Sequence, residues 1–107
     1  MIGYICPVDV RFGADTLRRA YEDEKACTRA WGHVIARLYV RRIDTLYAAE
    51  NAQTLRAVQS LRFHALTGQR SGQYALDLGP AYRLIVTFQD RAMTVVRVEE
   101  VSKHYDD

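Results

Sequence analysis

An α+β fold is predicted by a change of hydrophobic period partway along the chain and by the glycine-marked break that separates the two regimes. Residues 33–49 repeat their apolar positions at helical spacing, whereas residues 74–88 alternate with a period of two, and Gly68 and Gly72 stand between them. A helical half and a stranded half bury both apolar surfaces when helices pack on one side of a sheet. The expected architecture is a small, mostly antiparallel β-sheet with an N-terminal helical hairpin packed on it. With 107 residues, 49% of them hydrophobic, the chain supports one small core, so residues 1–107 read as a single domain.

Val8 to Phe12 alternates apolar and polar residues and reads as a first strand, stopped by Gly13. Asp15 or Thr16 can cap the helical segment that follows through Leu17, Ala20 and Tyr21, since either side chain accepts from an early backbone N–H. The acids Glu22-Asp23-Glu24 lead into a second helical stretch towards Trp31, and Gly32 marks a junction. From His33 to Ala49 the helical repeat places Trp31, Ile35, Leu38, Tyr39 and Leu46 on one face and His33, Arg37, Arg41 and Asp44 on the other. Arg42 falls inside the apolar arc, where its stem can pass the core edge or its head can reach a carboxylate.

Asn51 is a credible N-cap for a short helix, since its side chain can satisfy an early backbone N–H and Thr54 to Ser60 contain apolar Leu55 and Val58, which completes a helical hairpin. In the stranded half, Tyr74, Leu76 and Leu78 share one face; after the Gly79-Pro80 turn, Tyr82, Leu84, Val86 and Phe88 do the same. A polar link at Gln89-Asp90-Arg91 leads into a last strand from Met93 to Val101.

Composition narrows the function classes. The segment Met1-Ile2-Gly3-Tyr4-Ile5-Cys6-Pro7 lacks a basic region followed by a long apolar run, and no 18-residue apolar window exists, so the expected address is the cytoplasm, without membrane insertion. Cys6 and Cys27 form no CxxC or Cys/His cluster and read as reduced packing thiols. Net charge is only +2, from 15 basic and 13 acidic residues, but its distribution is uneven. Acids gather at Glu22-Asp23-Glu24, Glu99-Glu100 and Asp106-Asp107, while residues 54–74 carry Arg56, Arg62 and Arg70 and no acid.

The stretch from Phe63 to Phe88, FHALTGQRSGQYALDLGPAYRLIVTF, carries an ordered set of motifs. His64 and Leu66 form His-x-Leu, Gly68, Arg70 and Gly72 form Gly-x-Arg-x-Gly, and Tyr82-Arg83-Leu84 is an aromatic-Arg-aliphatic strand. With the helical first half ending in Leu46-Tyr47-Ala48-Ala49 and the terminal Val-rich strand closing on His104-Tyr105, this order resembles the RelE/ParE toxin superfamily over residues 9 to 105. It is most similar to the HigB-like branch, including the killer-suppression proteins, which are toxins of type II toxin–antitoxin systems.

What the resemblance implies is a translation-inhibiting endoribonuclease that cleaves mRNA on the ribosome, with no cofactor and no metal. A ribose 2′-OH attacks the adjacent phosphate, so the site needs a proton acceptor, cations for the charged phosphorane and a proton donor for the 5′-oxygen. Arg83, His104 and Tyr105 are the implied catalytic residues, and His64, Arg70, Lys103 and Arg62 the implied RNA contacts. Arg83 can offer a bidentate guanidinium to phosphate, or face solvent or an acid as an ordinary strand arginine. His104 suits proton transfer better than Tyr105, which can stack on a base. His64 can bond the loop backbone or meet substrate. The implied partners are a cognate antitoxin with a helix-turn-helix DNA-binding part, the ribosome and mRNA.

One residue departs from the family pattern. Many HigB-like toxins carry an arginine in the strand before the turn, within a Ser-Ile-Arg-like triplet, where this chain has Ala75-Leu76-Asp77. Asp77 repels phosphate and, near Arg83, lowers its effective charge. It therefore keeps open an alternative: a binding module of the same fold without ribonuclease activity, either a gyrase-type inhibitor or an inactive homologue.

Overall fold

The computed structural model describes residues 8–103; Cys6, His104 and Tyr105 lie outside them. In chain order the elements are β1 (Asp9–Phe12), α1 (Asp15–Glu22), α2 (Glu24–Trp31), α3 (His33–Ala48), α4 (Ala52–Ala57), β2 (His64–Ala65), β3 (Tyr74–Asp77), β4 (Tyr82–Phe88) and β5 (Val95–Lys103). Short 3-10 turns at Gln59–Leu61 and Gly68–Arg70 flank β2. The sheet runs β1-β5-β4-β3-β2, antiparallel throughout except for β1, which lies parallel to β5. This is the expected α+β architecture, with α1 and α2 preceding the α3 and α4 pair in the helical layer.

Local chemistry sets the helix boundaries. Ala14, not Asp15 or Thr16, is the N-cap residue of α1 and makes no side-chain cap bond. Asp15 is already helical and spends its carboxylate on Arg18 and Arg19, one turn on, and the Arg18 guanidinium holds its carboxyl below the usual range. At α2 the cap is Asp23, whose side chain accepts from the backbone N–H groups of Lys25 and Ala26. Asn51 caps α4 as expected, and Thr54 returns the bond in a full capping box. That helix is Ala52–Ala57, starting directly after the cap and ending before Ser60, and Val58 beyond it is exposed at 43%.

The core lies between the helices and one face of the sheet. Tyr39, Ile43 and Leu46 of α3 are fully buried against Leu76, Leu84, Val86, Val96 and Val98. Each such aliphatic side chain contributes about 1.5–3 kcal/mol by burial. The stripe on α3 is rotated slightly from the predicted one: Ala36 and Ile43 are buried, whereas Trp31, Ile35 and Leu38 are half-buried. Tyr39 places its hydroxyl in this core because the hydroxyl donates to the Leu17 carbonyl at 2.7 Å. Burial raises its pKa, so it remains a donor. Cys27 is a buried free thiol, as expected; it donates to the Ala36 carbonyl, and burial pushes its pKa up.

Arg42 is half-buried and finds a main-chain carbonyl in place of the anticipated carboxylate. Its Nε donates to the main-chain carbonyl of Asp77 at 2.7 Å. The Leu78 N–H donates to Tyr82, which places the neighbouring pair, Asp77 and Arg83, at a non-hydrogen-bonded position of the ladder. The Asp77 carbonyl therefore points away from β4, past the end of the two-residue β2, and Arg42 satisfies it from the helical layer.

The last strand starts at Val95, two residues later than expected. Asp90 causes the delay: its carboxylate accepts from the backbone N–H groups of Thr94 and Val95, and Met93 takes a left-handed φ of 58° within the turn.

Candidate nucleic-acid interface

Strand alternation leaves one face of the sheet turned away from the helices, and the register sorts its side chains into rows. His64, Ala75, Ile85 and Glu100 lie directly across from one another in one row; Asp77, Arg83 and Ser102 form the next. A groove of about 740 Å³ runs along this face, lined by Arg62, His64, Arg70, Asp77, Tyr82 and Arg83 among others. Four of the seven residues predicted for the site, Arg62, His64, Arg70 and Arg83, thus meet in one groove.

Each cation arrives by a different local device. Arg83 is half-buried in the middle of the sheet, on the side of Ile85 and Thr87 that the alternation predicts. Arg62 ends the 3-10 turn in a left-handed conformation with φ 49°, which reverses the chain and starts β2. His64 lies within bonding distance of that turn: its Nδ1 is 2.6 Å from the Arg62 carbonyl. A carbonyl only accepts, so Nδ1 carries the proton and Nε2 is the acceptor of the neutral ring. The backbone role anticipated for His64 is met through one nitrogen, leaving the other for chemistry. Arg56, outside the groove lining, holds its guanidinium 5.8 Å from the Phe63 ring centroid.

Arg70 is held across the sheet. Its Nη1 donates to Gln73 Oε1 at 2.9 Å and to Glu100 Oε1 at 2.7 Å. Glu100 reaches this face because of a β-bulge. The register steps from Val86 opposite Val98 to Ile85 opposite Glu100, so Glu99 is the extra residue and alternation shifts by one. The sequence carries a trace of the bulge in the spacing of Val96, Val98 and Val101, which breaks the period of two. Reading Glu99-Glu100 only as an acidic patch concealed the Arg70 partner.

Lys103 is placed apart from the groove. It pairs across from Tyr82, so alternation assigns it to the opposite face from Arg83. Asp77, the departure from the family pattern, stands directly opposite Arg83 in the groove, at the ladder position where cross-strand side chains are closest. Among the described residues no group of His, Cys, Asp and Glu is placed to hold a metal ion, and no helix is long and apolar enough to cross a membrane.

Helices on one face of a five-stranded sheet and a cationic groove on the other define a RelE-like toxin fold. The chain aligns with YafQ from E. coli at 16% identity and a TM-score of 0.57, covering 91% of this chain and 93% of that one. The toxin–antitoxin complex DinJ-YafQ from E. coli matches at 18% and 0.56, covering 91% and 92%. A YoeB/ParE toxin from Agrobacterium tumefaciens matches at 12% and 0.54, covering 91% and 99%. No curated protein matches the chain. Residues 10–100 match the model of the HigB-like toxins, the RelE-like toxins of the type II toxin–antitoxin system HigB, and the chain belongs to that family.

Proposed function

We propose that this toxin is a metal-independent endoribonuclease that cleaves mRNA on the ribosome in the cytoplasm, restrained by a cognate antitoxin with a helix-turn-helix DNA-binding part. The observation that carries this reading is the convergence of Arg62, His64, Arg70 and Arg83 in one open groove. Family membership supports the choice of RNA, and relatives solved as toxin–antitoxin complexes support the partner.

In the proposed reaction the ribose 2′-oxygen bonds to phosphorus as the bond from phosphorus to the 5′-oxygen breaks, leaving a 2′,3′-cyclic phosphate and a 5′-hydroxyl. Arg83 takes the charge that accumulates on the phosphoryl oxygens. One proton leaves the 2′-oxygen and one reaches the 5′-oxygen. His104 is the proposed carrier with Tyr105 beside it, and His64 Nε2 is a second acceptor on the groove wall. Single-turnover cleavage of ribosome-bound mRNA, with product ends identified, tests the assignment. Arg83→Ala and His104→Ala should each slow cleavage by on the order of 10² or more. Variants that cut at the wild-type rate would remove these residues from the mechanism.

Asp77 opposite Arg83 specifically favours a second reading, in which the same face binds its target without cleaving it. Asp77→Arg separates the two. A gain in cleavage with this variant supports a restrained nuclease, whereas wild type and variant that both leave mRNA intact support a binding module.

A further inference from the structure

Ala75 and Ile85 are fully buried, yet they lie on the face turned away from the helices and outside the main core. Apolar residues in the middle of an open face are sealed from water only if something covers them. The sheet order identifies the cover. Arg70 lies in the connection from β2 to β3, Glu100 lies on β5, and β4 stands between β3 and β5. Strands stand about 4.8 Å apart, so two side chains that meet from β5 and from the β2–β3 connection must close over β4 and the neighbouring part of β3. Ile85 is directly opposite Glu100, and Ala75 directly opposite Ile85. The Arg70–Glu100 pair is thus a strap across the sheet, with Ala75 and Ile85 as the floor beneath it.

The strap is made of exchangeable parts. Arg70 and Glu100 keep 35% and 47% of their side-chain surface in water, and ion pairs this exposed are weak. A phosphate offers Arg70 the same charge-assisted bonds as Glu100, and Arg62 and Arg83 line the same groove as further cations. Arg70 and Ala75 themselves line the groove, so a chain lying in it meets the strap.

We propose that Glu100 is a stand-in for an RNA phosphate: single-stranded RNA takes Arg70 from Glu100, the strap opens, and a nucleobase lies on the uncovered Ala75–Ile85 floor. This subsite rests on the reading of the groove as an RNA interface but does not depend on cleavage. Glu100 thereby sets affinity as an internal competitor, and the apolar floor accepts a base through its flat face, with little preference for sequence.

The test uses the whole chain and a mixed-sequence single-stranded RNA decamer, free of ribosomes. Glu100→Gln keeps the shape of the side chain and removes the competing charge. Its affinity for the decamer should rise about three- to tenfold, and the plot of log K against log salt should steepen by about 0.7, one additional phosphate contact. Arg70→Gln in the Glu100→Gln background should abolish both gains. In the wild type, with isoleucine methyls labelled and Ile85 assigned by Ile85→Val, the Ile85 methyl resonance should shift on RNA addition as a base stacks over it.

Unchanged affinity and slope in Glu100→Gln, or an Ile85 methyl that stays still at saturating RNA, overturns the subsite; so does failure of every variant to bind the decamer. The outcome is separable from that of the nuclease assay. Ribosome-bound mRNA cut normally with an unmoved Ile85 methyl refutes the strap alone, whereas a moved methyl with uncut mRNA refutes cleavage alone.

Discussion

Single carboxylates in this chain have opposite effects according to what faces them. Asp77 lies opposite a cation in the groove and presents a negative charge where phosphate would approach, whereas Asp90 is bonded to the Thr94 hydroxyl and to two backbone N–H groups and organises a turn. The Thr94 hydroxyl, then the Val95 N–H, hold the Asp90 pKa below its ordinary 3.8. A carboxyl whose folded pKa is depressed stabilises the fold fully above its unfolded pKa, and that contribution disappears as pH falls through the folded value. Thermal midpoints of wild type and Asp90→Ala should therefore differ by a constant gap above about pH 5 and converge below about pH 4. A gap unchanged down to about pH 2 would mean that the turn does not depend on the ionised carboxylate. Asp15, also depressed, is common to both proteins and cancels.

At the scale of elements, α4 is short enough that its start matters. Six residues form too little helix to be stable by propensity, so the Asn51–Thr54 capping box and the burial of Ala52 and Leu55 hold it. Asn51→Ala should cost about 1 kcal/mol in urea unfolding, with an unchanged m-value. A loss of a few tenths of that would leave burial as the dominant support. The elements legible in the sequence were those with a strong period and a self-contained signal: α3, the β3–β4 hairpin and the Asn51 cap. Those displaced depended on a partner that sequence does not show. The start of β5 moved because Asp90 bonds four and five residues ahead, and the two-residue β2 exists only as an extension of β3. In the site, Arg83 was legible from alternation. Glu100 was not, because a bulge moved it to the open face.

For the whole molecule, charge is divided by face more than by sequence. The cations of the groove lie on the open side of the sheet, while Glu22, Asp23 and Glu24 belong to the junction of α1 and α2. An antitoxin that neutralises this toxin by blocking phosphate contact should cover Arg62, Arg70 and Arg83 with an acidic or amphipathic segment. Hydrogen exchange of the complex would map that footprint. Protection confined to 22–24 with full neutralisation would rule out direct occlusion. The topology carries a further consequence, for the order of folding. β5 is the last strand in the chain order, yet it lies between β1 and β4 and is, among the described residues, the partner on which β1 depends. The pairing of residues 9–12 with 95–98 spans most of the chain, so closing the sheet means fixing a very long loop before the contact repays it. A nascent chain that has not yet extruded Val95 carries Arg62, His64, Arg70 and Arg83 but lacks the strand that joins β1 to β4, the bulge and Glu100. The open face of this toxin is thus completed late, when its last strand slots in between β1 and β4 and joins the two ends of the sheet.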